Sequence, residues 1–215
     1  MNLWVETDPR VISELLDKQP WEKPKWVGEV SHGSSFMIQS SPPERMDEEF
    51  PLHIWEMPEY GESYTVAVDP SSGRKNGDPA AIQVVSSFGR QVAEVLLKNV
   101  ELPAQLQTSI WISYFYNYAM LVIEINGFAA MAGKYVEDMG YKNIWHDSAI
   151  KPGFMTTEKR SNMLINRFHS SLKMESPFLR SKRLLSELKS YTENGPSQDD
   201  LTSAMLIAHG IHGSR

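Results

Sequence analysis

The chain is 215 residues long, and its apolar and charged fractions of 41% and 22% are those of a globular protein and not of a disordered one. Its 21 basic and 27 acidic residues give a net charge of −6. It contains no cysteine, which excludes a disulfide framework, a thiolate metal site and a cysteine nucleophile. The N-terminus has no apolar segment of the secretory kind, and Ile110–Ile125, the most apolar stretch, is shorter than the roughly 20 residues of a membrane span. We therefore expect no membrane association.

The first quarter of the chain differs from the rest in amino-acid composition. Residues 1–50 are rich in proline and acids, and only Val11–Lys18 has a helical pattern, with Asp8 as a plausible cap. We interpret residues 1–50 as a Pro-rich linker or appendage and residues 51–215 as the folded domain.

The folded domain begins with strands and continues with helices. Three runs bounded by turn residues predict an antiparallel meander: Tyr64–Val68, Ala80–Ser86 and Val92–Val100. The continuous apolar run Leu121–Ile125 predicts a buried central strand, and Asn143–His146 a short one. The predicted helices are Ala104–Ala119, Gly127–Met139, Thr156–Leu172, Ser181–Ser190 and Gln198–His209. This order predicts an α/β fold with a mixed central β-sheet flanked by α-helices.

Four acidic residues lie at strand ends, in an apolar run or at a helix start, where they could be either structural or functional. Asp69 ends the first strand of the meander, where it could be a turn residue or face a ligand. Glu124 interrupts an apolar run, and burying its charge requires a basic partner or a bound cation. Asp199 and Asp200 open the last helix, where the helix dipole alone would stabilise one of them.

These acids together suit one kind of chemistry. Hard divalent cations such as Mg²⁺ take oxygen ligands, and two such ions can clamp the attacking and leaving oxygens of a phosphodiester. Asp78, in an Asn-Gly-Asp-Pro turn, is a further candidate ligand, although the turn explains it equally well.

One segment of this acidic chain is basic. Residues 151–190 contain nine bases and three acids, a local charge of +6. Such clustering is typical of a polyanion-binding surface, and equally of a solvated helical face.

The succession of these motifs resembles a known family. Residues 64–73 (YTVAVDPSSG), 116–127 (YNYAMLVIEING), 153–160 (GFMTTEKR) and 198–204 (QDDLTSA) together resemble the nuclease domain of the large terminase subunit of tailed bacteriophages. The stretch from His53 to Pro58 is similar to the lead-in strand of that family. The resemblance implies a ribonuclease H-like fold, akin to Holliday-junction resolvases, over residues 51–215.

The resemblance also implies a function and a site. It implies a viral, metal-dependent endonuclease that cleaves double-stranded DNA with little sequence specificity during DNA packaging, using two Mg²⁺ or Mn²⁺ ions. Asp69, Glu124 and Asp200 would be catalytic metal ligands, with Asp199 as an additional ligand. The DNA-binding residues would come from the basic segment: Lys159, Arg160, Arg167, Lys173, Arg180, Lys182 and Arg183.

The partners implied by the resemblance lie outside this sequence. They are an ATPase domain of the same full-length protein, the portal and the small terminase subunit. No phosphate-binding loop of the GxxxxGK[ST] type occurs here, so the chain corresponds to the nuclease part alone. The expected location is the host cytoplasm and not the mature virion.

Other functions remain open on the sequence. A DNA transposase or a resolvase-type nuclease would share both fold and metals. Residues 68–73 (VDPSSG) are also similar to the first phosphate loop of actin-like ATPases, although the second such loop is missing. A non-catalytic domain on the same fold is a further alternative.

Overall fold

The computed structural model describes residues 9–31, 35–40, 50–75, 77–148, 151–174, 178–194 and 199–211. The strands are β1 (Trp26–Ser31), β2 (Ser35–Ser40), β3 (Leu52–Ile54), β4 (Tyr64–Asp69), β5 (Ala80–Ser86), β6 (Gln91–Leu97), β7 (Met120–Ile123), β8 (His146–Ser148) and β9 (Lys151–Pro152). The helices are α1 (Pro9–Asp17), α2 (Leu102–Phe115), α3 (Ala132–Asp138), α4 (Glu158–Lys173), α5 (Lys182–Asn194) and α6 (Asp200–Ile211). Within these residues, none of the helices combines the length and the apolar character needed to cross a membrane.

Seven strands form one mixed sheet in the order β2-β1-β3-β6-β5-β4-β7. All neighbours are antiparallel except β4 and β7, which run parallel. The predicted meander corresponds to β4, β5 and β6, and the predicted α/β class is confirmed. The remaining two strands, β8 and β9, form a separate small hairpin.

The sheet is covered by helices on both faces, and alternate residues of β7 show the division. Met120 and Val122 pack in a core with α4, α5 and α6, whereas Leu121 and Ile123 pack in a second core with α2 and α3. Because successive side chains of a strand point to opposite faces, a strand buried on both sides is apolar throughout.

The position of β7 corrects one prediction. The strand is buried, as predicted, but it lies at the edge of the seven-stranded sheet and not at its centre. Single parallel bridges from Leu121 to Ile144 and from Glu124 to Phe154 cover its outer edge. The two helical layers and these bridges therefore bury β7. A strand at the centre of the sheet would have the same apolar sequence, so the sequence alone does not reveal the edge position.

Two further differences concern the elements around β7. The helix predicted over Gly127–Met139 is divided into a 3-10 turn at Gly127–Ala129 and the short helix α3. The predicted strand Asn143–His146 is reduced to the bridge at Ile144 and the start of β8.

The N-terminal region contributes to the sheet. Strands β1 and β2 form a hairpin, and β1 pairs with β3, so the sheet continues across residue 50. The sequence analysis did not predict these two strands. The division of the chain into an appendage and a nuclease domain stays a prediction. The proposed cap Asp8 lies outside the described residues.

Candidate metal centre

The parallel pairing of β4 and β7 brings Asp69 and Glu124 side by side. Val68 pairs with Ile123, and the amide N–H of Glu124 donates to the carbonyl oxygen of Val68 at 3.0 Å. Asp69 and Glu124 are the next residues of the two strands, so both carboxylates stand at the same carboxyl-terminal edge of the sheet. Open α/β sheets place their ligands at this edge.

The loop that follows Asp69 is attached to helix α2. The side chain of Gln105 accepts from the Ser71 N–H at 3.0 Å and donates to the carbonyl oxygens of Ser71 at 3.0 Å and Val100 at 2.6 Å. Gly73 has a φ of +67°, and a Cβ there would lie 2.4 Å from the Val100 oxygen. The loop therefore needs glycine at this position, and its backbone contacts hold the end of β4 in place.

Glu124 is oriented by a neighbour two residues later. The Asn126 amide donates to Oε1 of Glu124 at 3.0 Å and to the carbonyl oxygen of Thr156 at 3.1 Å. Thr156 lies just before α4, so Asn126 connects the Glu124 carboxylate to the start of that helix. The sequence analysis did not identify Asn126, because its contact with Glu124 depends on the turn of the chain after β7.

Helix α6 brings a second pair of acids to the same edge. It packs against β4 and β5 and begins at Asp200. The Thr202 N–H in its first turn donates to Oε1 of Glu187, on α5, at 2.7 Å. Glu187 thus satisfies one of the free backbone donors at the start of α6. The sequence analysis overlooked Glu187 because this role depends on two helices meeting in space.

The pKa values show that these acids affect one another. Burial raises the pKa of Asp69 well above its usual range, and the charges of Glu124, Asp200, Asp199 and Glu187 raise it further. Burial also raises the pKa of Glu124, Asp199 and Asp200, to about 6 for Asp200, and that of Glu187 to about 7. The charge of Asp78 contributes to the raised pKa values of both Asp199 and Asp200. All five acids predicted as ligands, together with Glu187, therefore belong to one neighbourhood, which we call the carboxylate cluster.

The composition of the carboxylate cluster matches the donors that hard divalent cations prefer, since every group in it offers oxygen. The groups that shift the pKa values of Asp69, Glu124, Asp199 and Asp200 most strongly do not include a lysine or arginine among the described residues. Within the described residues, however, no three Asp, Glu or His side chains are already gathered into a metal-binding group. The chemistry of the donors thus fits such an ion, and their role as ligands stays a prediction.

The residues predicted to bind DNA occupy two different environments. Lys159 and Arg167 are exposed on α4, Lys173 is exposed near its end, and Lys182 is exposed at the start of α5. Arg160 is half-buried, and its guanidinium pairs with Asp147 and donates to the Met155 carbonyl oxygen at 2.9 Å.

Arg180 and Arg183 face the protein interior. Arg180 is only 8% exposed and pairs with Glu22 and Glu56, while Arg183 donates to the fully buried Glu94 at 2.9 Å. Because these guanidinium groups are occupied by carboxylates of the same chain, we assign both arginines a structural role and do not carry them forward as DNA ligands.

The sheet order and the helical layers are those of a ribonuclease H-like fold, in which the strand ends carry Asp69 and Glu124. Solved structures similar to it include nuclease domains of phage large terminases. The zinc-bound large terminase nuclease of thermophilic phage G20c matches with a TM-score of 0.66 at 14% identity, over 93% of this chain and 97% of that one. Its magnesium-bound form gives 0.65 at 15% identity, over 92% and 95%. The large terminase nuclease domain of Thermus phage P74-26 gives 0.60 at 15% identity, over 94% and 95%.

These likenesses establish the fold, and the resemblance inferred from the sequence is confirmed at that level. No protein-family model matches the sequence, and no curated protein does. The G20c nuclease has been crystallised with zinc, magnesium and cobalt, all of which are divalent.

Proposed function

We propose that this chain is a divalent-metal-dependent endonuclease that hydrolyses phosphodiester bonds of double-stranded DNA with little sequence specificity. The observation that carries the proposal is the position of Asp69 and Glu124 at adjacent parallel strand ends, close enough to the acids at the start of α6 for their charges to raise the pKa of Asp69. The fold shared with phage terminase nucleases supports it.

Each acid has a defined part in this proposal. Asp69, Glu124 and Asp200 would hold the metal, with Asp199 as an additional ligand and Asp78 at the margin of the cluster. Two Mg²⁺ or Mn²⁺ ions, when bound, would supply an activated water and stabilise the leaving oxygen. Asn126 would keep the Glu124 carboxylate oriented, and Glu187 would hold the first turn of α6, which begins at Asp200.

Plasmid cleavage tests the proposal. Purified protein should nick and linearise supercoiled plasmid with Mg²⁺, Mn²⁺ or Co²⁺, and EDTA should stop the reaction. Asp69→Asn should abolish cleavage, whereas Asp138→Asn, which changes an exposed acid on α3, should not. Intact plasmid with all three metals would refute the enzyme assignment. Preferential cleavage of four-way junctions would favour a resolvase-type enzyme instead.

We further propose that this nuclease acts in viral DNA packaging in the host cytoplasm and is not retained in the mature virion. Its partners would be an ATPase domain of the same full-length protein, the portal and the small terminase subunit. The fold of the terminase nucleases supports this proposal. Affinity purification of the tagged protein from infected cells, followed by mass spectrometry, tests it, and mature particles should lack the chain.

A further inference from the structure

An elongated groove of about 1270 Å³ lies along the exposed face of α4. Helix α4 and its cap Thr157 form most of the lining, and His209 and Gly210 at the end of α6 form the rest. Arg167 fixes these two helices to each other, because its guanidinium donates to the Gly210 carbonyl oxygen at 3.0 Å.

The α4 side of the groove presents two parallel rows of side chains. Lys159, Met163 and Arg167 follow one another at four-residue spacing, and Asn162, Asn166 and Ser170 do the same beside them. Side chains four residues apart share one face of a helix, so each row runs along the helix axis. One row is cationic at its two ends, and the other consists of neutral hydrogen-bonding groups.

The charge of the groove contrasts with that of the whole chain. The chain has 27 acidic residues and a net charge of −6, yet no described residue that lines the groove carries a carboxylate. Asn162 and Asn166 are exposed, and no described residue accepts a hydrogen bond from the side-chain amide of either. The groove therefore offers both positive charge and free neutral donors to an anionic ligand.

The groove starts beside the carboxylate cluster. Asn126 bridges Glu124 and the carbonyl oxygen of Thr156, and the next residue, Thr157, lines the groove and caps α4. At about 1.5 Å per residue, the face from Lys159 to Ser170 is about 16 Å long, which is enough for more than one phosphate along a DNA strand. A single small anion would occupy only a fraction of this length.

We infer that this groove binds the sugar–phosphate backbone of one DNA strand where that strand leaves the carboxylate cluster, and that Asn162 and Asn166 bind phosphate alongside Lys159 and Arg167. The inference rests on the proposed nuclease function and adds the path of the strand to it. Contacts to phosphate from amides and cations position DNA without reading its sequence.

The two rows make different predictions about salt. A cation that neutralises a phosphate releases counterions, so losing it lowers the slope of log K against log salt by about 0.9, whereas a neutral amide releases none. Binding of a fluorescent 30-base-pair duplex in EDTA, measured by anisotropy at several salt concentrations, separates the two. Lys159→Gln should weaken binding and flatten the slope. The double variant Asn162→Ala/Asn166→Ala should raise Kd about three- to tenfold with the slope unchanged.

Matched controls lie outside the groove. Lys142→Gln, an exposed base at the end of β7 opposite to Glu124, and Gln107→Ala, on α2, should leave both Kd and slope at the wild-type values. Melting temperatures equal to that of the wild type show that each variant is folded.

Two outcomes overturn the inference, and they are distinguishable. If the wild type binds and cleaves DNA but the groove variants match it in Kd and slope, the strand does not follow the groove and the nuclease function stands. If the wild type neither binds nor cleaves duplex DNA, the proposed function fails together with the inference. Binding of an acidic peptide at the groove without any DNA binding would belong to this second case.

Discussion

At the scale of single residues, the structure brings together acids that the sequence could only consider one by one. Asp69 could have been a turn residue only, and Glu124 could have paired with a distant base. The structure places them side by side. Burial and the charges of other acids raise the pKa of Asp69, while burial raises that of Glu124 against a hydrogen bond with Thr156 that lowers it. The sequence identified Glu124 because a charged residue in an apolar run is costly, and it identified Asp69 by its position at a strand end. It could not identify Asn126, whose contact with Glu124 depends on where the chain turns.

Without metal, the protein should lose stability as the pH rises. The raised pKa values of Asp69, Asp200 and Glu187 mean that the folded state binds more protons than the unfolded chain, whose carboxyl groups titrate near 4. Their contribution to the free energy of unfolding is therefore greatest below about pH 4 and is lost as the pH rises through the folded values of about 6 and about 7.

Asp69→Asn tests this expectation by difference. At pH 8 in EDTA, the variant should melt at a higher temperature than the wild type because one repelling charge is absent. Millimolar Mn²⁺ should raise the melting temperature of the wild type by a few degrees and that of the variant by less. Identical melting of both proteins in EDTA, with identical shifts in Mn²⁺, would leave Asp69 as a turn residue only.

Asn126 should matter for metal binding and not for folding. Asn126→Ala removes the exposed hydrogen bond to Glu124, which we expect to weaken Mn²⁺ binding about fivefold in calorimetry, in keeping with about 1 kcal/mol for one hydrogen bond. Asn143→Ala removes a comparable amide contact, to the Tyr118 carbonyl oxygen at the other end of β7, and should leave Mn²⁺ affinity unchanged. Equal affinities for all three proteins would show that Asn126 does not orient the carboxylate.

At the scale of elements, patterns of local sequence predicted the meander and most helices. They failed for strands whose position depends on which other strands they pair with. Strands β1 and β2 were missed because prolines on both sides of them favoured a loop interpretation. The edge position of β7 was missed because its burial depends on α2 and α6, which lie elsewhere in the chain. Tertiary contacts, and not the local strand propensity of the sequence, determine the pairing of β1 and β2 and the edge position of β7.

Helix α6 should depend on an acceptor from α5 at its first turn. Glu187→Ala leaves the Thr202 N–H without its acceptor, a loss of about 1 kcal/mol for a cap, or roughly 2–4 °C in melting temperature. It should also weaken Mn²⁺ binding, because Asp200 lies in the same turn. Glu187→Gln keeps an oxygen at this position and should retain both properties. If alanine and glutamine behave alike, the backbone contact does not position α6.

At the scale of the whole molecule, the basic segment predicted as one DNA surface is divided in two. Its α4 part lines the groove beside the carboxylate cluster, while Arg180 and Arg183 connect the start of α5 to the sheet. Charge counted along the sequence could not make this distinction. The partners of Arg183 include Glu94, which is distant in the chain and has no exposed surface.

Glu94 should therefore be among the most sensitive positions for stability. Its carboxylate accepts from Gln83, Ser181 and Arg183 at 2.9 to 3.0 Å. Glu94→Ala would leave a guanidinium without its charge partner, which costs about 3–5 kcal/mol, or roughly 6–20 °C in melting temperature. Glu101→Ala, which changes an exposed acid before α2, should alter melting by less than about 0.5 kcal/mol. A small effect of Glu94→Ala would contradict the structural role assigned to Arg183.

The parallel pairing of β4 with β7 has a consequence for the order of folding. Strands β4, β5 and β6 are joined by short connections and can pair early, whereas β7 must close a loop of more than fifty residues before it reaches β4. Such long-range pairing is slow because the loop entropy is lost before the contact forms. Asp69 and Glu124 therefore meet only in the late steps of folding, so the chain acquires its cation affinity after most of the sheet exists. In a refolding experiment, Mn²⁺ should slow unfolding and leave the early folding rate unchanged.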